Sequence, residues 1–402
     1  VSGALRSVLR FRSLETDPVA RRLRKGVSVA DLRRIAKRRL PGGIFDYIDG
    51  AAEAETTMAA NERAYAETTF RPRVLRDVAA VDPSTTVLGR RLPLPLVLAP
   101  TGFTRIADPQ GELAVARSAA RAGLPYTLST LGTRSIEEVA AVSEGPKWFQ
   151  VYVWRDRDLV KDMVERAQHE GYEALVLTVD CPVFGYRERD HRRGFELPPK
   201  IGPETLVDGA LHPGWTWSFV RSEPIRFANV AGAHVGDGAS AVNLADYINT
   251  QFDPTVTWDD VAWLRSTWHG PLLLKGIQTV DDARLAAEHG VEGVILSNHG
   301  GRQLDGAPAT LDLVAPVADA VGDQLEVLVD GGVRRGADVV KAVALGATAV
   351  CIGRAYLYGL GAAGERGVDH VLELFDRDVR RSMALLGVTS PAELDRSLVD
   401  RR

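Results

Sequence analysis

From residue 95 onward the chain alternates short apolar, β-branched runs with amphipathic stretches of helical period, and this rhythm restricts the fold more than any other feature. The apolar runs cover 96–101, 126–130, 148–153, 174–180, 272–275, 293–297, 326–330 and 349–353, eight in all. Between them, the spacing predicts helices over 111–122, 135–142, 156–170, 258–268, 280–289 and 337–345. Helix punctuation agrees: Ser135 precedes Glu137 and Glu138, Thr279 precedes Asp281 and Asp282, and Gly290 and Gly346 stand just past helix ends. Eight strand–helix units predict an α/β fold, a closed (β/α)8 TIM barrel. An open doubly wound sheet would follow its first strand with a Gly-x-Gly-x-x-Gly turn, and here that strand runs into Ala99-Pro100-Thr101-Gly102.

A barrel of this type takes about 250 residues, so the 402 residues are expected to form one barrel domain with attachments. These are an N-terminal helical extension (1–95), a long insert after strand 4 (190–256) and C-terminal helices (365–402). The extension carries helical patterns at 29–38 and 43–52, a strand-like piece at 85–88 and a leading surface arm, VSGALRSVLRFRSL. No clear periodicity marks the insert, which holds Pro198-Pro199, a Gly-rich 232–238 and Trp215 with Trp217; such a segment reads as a lid, a binding loop or disorder. With 49 basic against 53 acidic residues, the charge argues against a nucleic-acid protein. No apolar run is long enough to span a bilayer. The two cysteines, Cys181 and Cys351, make no disulfide framework and suit a reducing, cytoplasmic compartment. No His, Cys and carboxylate group has metal-ligand spacing, so no metal is expected.

In such barrels chemistry collects where the strands end. Here the ends carry Thr101, Ser129, Gln150 and Tyr152, Thr178 and Asp180, Lys275, Ser297 with His299, Asp330, and Gly353-Arg354. Asp330-Gly331-Gly332-Val333-Arg334 and Gly353-Arg354, in the last two loops, form a phosphate candidate, since glycines admit an anion to the backbone and arginine supplies planar donors. Lys275 closes an apolar run and reads as a Schiff-base lysine or as a cation facing an electron-rich cofactor. His299 is a candidate general base with Asp180 to orient it. Arg187 and Arg302 are candidates to hold a carboxylate, although Arg187 lies in a mixed charge run, Tyr186-Arg187-Glu188-Arg189-Asp190, that by default is solvated surface. Cys181 reads as a packed thiol rather than a nucleophile.

The string Ser297-Asn-His-Gly-Gly-Arg-Gln-Leu-Asp305, with Phe149-Gln150-Val-Tyr152, Thr178-Val-Asp180, Leu274-Lys275-Gly276 and the two phosphate loops, resembles the FMN-dependent L-2-hydroxy acid dehydrogenase and oxidase family from about residue 29 to 386. Asp46-Tyr47-Ile-Asp-Gly50 is similar to that family's N-terminal substrate motif. The resemblance implies FMN across the barrel mouth. Its ring would contact Pro100, Thr101, Gly102, Ser129, Gln150, Thr178, Lys275 and Ser297, and its phosphate the Asp330, Gly331, Gly332, Arg334, Gly353 and Arg354 loops. It implies His299, Asp180, Tyr152 and Lys275 as catalytic residues, and Tyr47, Tyr152, Arg187 and Arg302 as substrate holders. Leu131 and Gly102 replace a tryptophan and an alanine of the oxidase pattern. With Trp154-Arg-Asp-Arg-Asp158 and His212-Pro-Gly-Trp-Thr-Trp217 they resemble bacterial respiratory L-lactate dehydrogenases. The implied reaction is L-lactate to pyruvate with electrons passed to quinone or another acceptor. The alternatives are an O2-using oxidase and a mandelate- or glycolate-type dehydrogenase. A homotetramer is implied as well. Trp215, Trp217, Phe219 and Val220, flanked by Arg221 and Arg226, give the insert a further reading as a contact with the inner face of the cell membrane.

Overall fold

The computed structural model describes residues 15–193, 202–230 and 250–401; the leading arm at 1–14 and parts of the insert fall outside them. Each of the eight apolar runs forms a strand: β1 (Leu96–Leu98), β2 (Tyr126–Ser129), β3 (Lys147–Val151), β4 (Ala174–Thr178), β5 (Leu272–Ile277), β6 (Gly293–Leu296), β7 (Glu326–Val329) and β8 (Ala349–Ile352). All pair in parallel, and β8 closes on β1 through Val350 opposite Leu96 and Ile352 opposite Leu98. The predicted helices stand between them, with Ser135 and Glu138 forming a reciprocal cap and Thr279 accepting from the Asp282 amide.

Side-chain parity explains why unbroken apolar runs serve here. Alternate residues of a strand face opposite sides. One set, including Leu96, Leu98, Phe149, Leu175, Leu177, Leu274 and Val294, packs outward against the helices. The other set, Val97, Trp148, Ala174, Val176, Leu273, Ile295, Leu328 and Ala349, fills the barrel interior. Below, the interior is sealed by the hairpin of Thr85–Val87 and Arg90–Leu92, whose Val87 and Leu92 join the inner cluster. Two residues further up β3, β4, β5, β6 and β7, the inward position turns polar. Gln150 follows Trp148, Thr178 follows Val176, Lys275 follows Leu273, Ser297 follows Ile295 and Asp330 follows Leu328. The register places Ser129 opposite Gln150 and Thr178 opposite Lys275, so these groups form a ring at the mouth.

The N-terminal extension is helical at Val29–Arg39, Gly42–Asp49 and Thr56–Glu67. Asp49 anchors it. This buried carboxylate accepts from Arg33 Nε at 2.5 Å, Arg189 Nη1 at 2.9 Å and the Tyr358 hydroxyl at 2.7 Å. Burial alone would raise its pKa, but these donors, Arg33 first, outweigh burial and hold the group at about 2. Asp305, the last residue of the glycine-rich string, accepts from the Thr57 amide at 2.7 Å at the start of the third helix, where an anion is favoured.

Two expectations need correction. The insert is not without helix: Pro203–Leu211 and Pro213–Val220 are both helical, each opening on a proline that suits a first turn. Nor is the C-terminal segment helical throughout. Its long helix, Glu365–Leu386, stops at Gly387, whose φ of +81° suits glycine. Short 3-10 turns follow, and then a strand, Val399–Arg401, pairs antiparallel with Thr68–Phe70.

Candidate active site

The strand-end ring opens into one large cavity, which brings together Tyr47, Pro100, Thr101, Gly102, Ser129, Gln150, Tyr152, Thr178, Arg187, Lys275, His299, Arg302, Asp330, Gly331, Gly332, Arg334, Gly353 and Arg354. Asp180 and Ser297 stand just behind this lining, each bonded to a residue in it.

His299 sits in the loop after β6 with φ of +58°, a left-handed conformation that costs a residue bearing a Cβ roughly 1–2 kcal/mol. Its amide donates to Ser297 Oγ at 3.0 Å, and its Nδ1 lies 3.1 Å from Asp180 Oδ1 and 3.3 Å from Oδ2. Such a partner fixes the ring and aims the other nitrogen, Nε2, away from the carboxylate. Burial would raise the Asp180 carboxyl, yet the His299 and Lys275 charges win, so it is held below the ordinary range and stays ionised. Lys275 is almost fully buried; its Nζ donates to Ser297 Oγ at 2.8 Å and pairs with Asp330 Oδ2 at 3.2 Å. Burial pulls its pKa down, Asp330 and Asp180 push it up, and the acids prevail. A Schiff-base lysine needs a depressed pKa, so the reading that survives is a permanent cation.

Two guanidiniums crowd the Tyr47 ring, Arg302 at 5.1 Å and Arg187 at 5.4 Å from its centre. Arg302 donates through Nη1 to the carbonyls of Tyr47 at 2.8 Å and Gly50 at 2.9 Å, at the C-terminal, electronegative end of Gly42–Asp49. Among the described residues it pairs with no carboxylate. Burial, and then the Arg187 charge, push it down to about 9, still protonated at neutral pH. A buried cation beside a second cation calls for an anion between them. The charge run is thus sorted by the fold. Arg187 faces the cavity and pairs loosely with Asp190 at 3.4 Å, while Arg189 turns away to Asp49 and Glu55.

Of the eight buried side-chain atoms that lack a hydrogen-bond partner among the described residues, three, Gln150 Nε2, Thr178 Oγ1 and Asp330 Oδ1, belong to residues that line this cavity. Each costs about 1–3 kcal/mol while unsatisfied. Together they mark the place of a polar ligand, and with Lys275 they fit a flavin ring, which carries donors and acceptors along one edge. Gly331 and Gly332 have φ of +91° and +80°, leaving the first phosphate loop free of side chains. Its arginine, Arg334, pairs with Glu62 at 2.9 Å, whereas Arg354 gives three of its N–H groups to the carbonyls of Ile48, Gly50 and Gly300. Arg354 therefore also clamps the N-terminal extension to the His299 loop.

The residues 36–401 match the sequence model of the FMN-dependent dehydrogenases. The chain belongs to that family. A relative from Mycobacterium tuberculosis is 47% identical over 391 residues, covering 97% of this chain and 93% of its own length. The L-lactate dehydrogenase of Caulobacter vibrioides is 46% identical over 376 residues, covering 93% and 98%. Among solved structures, that of the monotopic membrane protein (S)-mandelate dehydrogenase matches with a TM-score of 0.90 and 40% identity, over 94% of this chain and 99% of that one. FMN is the cofactor of this family, and the chain is an FMN-dependent L-2-hydroxy acid dehydrogenase.

Two aromatic side chains in or behind the cavity lining of this FMN-dependent dehydrogenase carry no signal in the sequence. Phe227 comes from the insert, lines the cavity and packs on Phe103 at 4.8 Å. Phe252, from the insert's far end, packs on Tyr152 at 5.1 Å and Phe184 at 4.3 Å. Cys181, expected as a packed thiol, is only partly buried and faces the cavity; burial and then the Asp180 charge push its pKa well up, which makes it a poor nucleophile. The two departures from the oxidase pattern touch each other, since a Cβ added at Gly102 would lie 3.0 Å from Leu131 Cβ.

Proposed function

We propose that the protein oxidises L-lactate to pyruvate and passes the electrons to a quinone or similar acceptor rather than to O2. The observation that carries the reading is the convergence, on one cavity, of two neighbouring arginines, of which Arg302 pairs with no carboxylate among the described residues, and a carboxylate-oriented histidine. Arg187 and Arg302 bind the substrate carboxylate from two sides, while the Tyr47 and Tyr152 hydroxyls position the rest of the molecule. Nε2 of His299 takes a proton from the substrate, and Asp180 stabilises the imidazolium that results. Gln150, Thr178, Lys275 and Asp330 would hold the ring of FMN, and the Asp330–Arg334 and Gly353-Arg354 loops would hold its phosphate. When bound, FMN accepts the two electrons that the hydroxy acid loses. Lys275 supplies a fixed positive charge there without solvent rearrangement. Phe227 and Phe184 in the cavity lining, the latter backed by Phe252, exclude water.

L-lactate is favoured by the 46% identity to the Caulobacter vibrioides enzyme. Mandelate is the second reading, favoured by the 40% identical (S)-mandelate dehydrogenase. After anaerobic reduction by substrate, reoxidation by a soluble quinone analogue is expected to outpace reoxidation by air. Faster reoxidation by O2 makes the protein an oxidase.

By family resemblance the assembly is a homotetramer. The insert adds a membrane-facing surface to the proposal. No helix among the described residues is long and apolar enough to cross a bilayer. Trp215 is turned inward, its Nε1 donating to the Ile106 carbonyl at 2.8 Å and its ring stacked on Phe219, so these two drop out of the contact. Trp217 and Val220 stay exposed, joined by Leu206, Val207 and Leu211 from the neighbouring helix, and Arg221 lies 4.1 Å over the Trp217 ring. This is the composition of an interfacial anchor. Wild type is expected to float with anionic liposomes, and Trp217→Ala combined with Leu211→Ser to stay at the bottom of the gradient. Equal behaviour of the two contradicts the anchor.

A further inference from the structure

Cys181 lines the cavity and has no part in the reaction above, yet its sulfur lies among groups that matter. Sγ is 3.3 Å from Asp180 Oδ1 and 3.5 Å from His299 Nδ1, and those two atoms are 3.1 Å apart. The sequence hides this cluster, because His299 lies 119 positions beyond Asp180. A tetrahedral zinc ion takes bonds of about 2.3 Å to sulfur, about 2.0–2.1 Å to nitrogen and about 2.0–2.2 Å to carboxylate oxygen, so its ligand–ligand edges are roughly 3.6 Å for S–O and S–N and roughly 3.4 Å for N–O. The three edges here, 3.3, 3.5 and 3.1 Å, fall within about 0.3 Å of those lengths. Thiolate, imidazole and carboxylate are also the ligand types that a borderline-soft cation selects over magnesium or calcium.

We propose that Asp180, Cys181 and His299 form an inhibitory site for a thiophilic divalent cation, Zn2+ or Cd2+, with the fourth position open to the cavity. The thiol releases its proton to solvent as the sulfur–metal bond forms. Nδ1 gives its lone pair to the ion, so the single proton of the neutral imidazole resides on Nε2. That nitrogen then becomes a donor and can no longer take a proton from the substrate. The ion also claims the carboxylate that would have stabilised an imidazolium. The site rests on geometry alone; its inhibitory effect rests on the proposed role of His299.

The test uses FMN-loaded enzyme freed of metal by chelator and titrated with Cd2+, with two readouts. Equilibrium dialysis and the ultraviolet thiolate-to-cadmium band report binding, and anaerobic flavin reduction by L-lactate reports inhibition. One Cd2+ per chain is expected, displaced by Zn2+, with the band lost in Cys181→Ala and Cys181→Ser. Affinity in both variants should fall at least about 100-fold, beyond the 10–100-fold typical of an outer-shell change. Flavin reduction by wild type should fall in step with occupancy, while each variant should keep its own metal-free rate at the same Cd2+ concentration. An unchanged flavin spectrum confirms that the variants fold. Absence of stoichiometric binding, or binding indifferent to Cys181, overturns the site. Stoichiometric binding with undiminished flavin reduction overturns the inhibition. If L-lactate reduces no flavin even without metal, the proposed function fails while the binding readout still judges the site.

Discussion

His299→Ala is expected to retain FMN and to lose flavin reduction by L-lactate by about 10²- to 10⁴-fold, the usual contribution of a positioned general base. The substitution is local. It keeps a Cβ at the left-handed position, so the backbone cost is unchanged, and the amide bond to Ser297 Oγ does not involve the ring. The groups proposed to hold the flavin, Gln150, Thr178, Lys275 and Asp330, take no hydrogen bond from the imidazole, so the visible spectrum should survive. What is lost is the cavity imidazole that the ionised Asp180 carboxylate holds in place. Stopped-flow absorbance under nitrogen reads the rate. Reduction at the wild-type rate would remove His299 from the mechanism.

Arg302→Lys is expected to lower kcat/KM by about 30-fold to several thousand-fold, equivalent to about 2–5 kcal/mol for disturbing a buried charge-assisted contact. The reason is geometric. Arg302 braces two carbonyls, Tyr47 and Gly50, through one guanidinium nitrogen, and leaves the rest of its fork for the substrate. A lysine ammonium is a point charge that cannot do both. KM should rise as well, because Tyr47 loses the brace on its own carbonyl. The same change at Arg187, which is less buried and already shares Asp190, should cost less. An unaltered KM for L-lactate in Arg302→Lys would place the carboxylate elsewhere.

The barrel and its polar ring are legible in the sequence because strand parity converts a two-residue step into a direction. Leu273 must face the interior if Leu272 and Leu274 face the helices, and Lys275 must then face the mouth. Other parts obey no such local rule. Arg187 and Arg189 are both plausible cavity residues in one charge run, and only Asp49, from a separate helix, draws Arg189 away. Phe227 and Phe252 lie in an insert without periodicity, and their value comes from packing on Phe103 and Tyr152. The C-terminal strand is three residues long and exists because Thr68–Phe70 is there to pair with it. Tyr47 was reachable only through resemblance, since nothing about a tyrosine in an N-terminal helix points to a barrel mouth. The surroundings of Cys181 are hidden in the sequence because its histidine neighbour is 118 positions away.

The central claim is stereospecific oxidation of a 2-hydroxy acid by this cavity, and mixing the FMN-loaded enzyme anaerobically with L-lactate and, separately, with D-lactate tests it most directly. With the carboxylate held by Arg187 and Arg302 and the reacting centre beside His299 Nε2, as proposed, the cavity is expected to admit one enantiomer. Rapid loss of flavin absorbance with L-lactate and none with D-lactate is the predicted result. Flavin that stays oxidised with L-lactate and with every other L-2-hydroxy acid in a panel, or that bleaches equally with both enantiomers, would contradict the account.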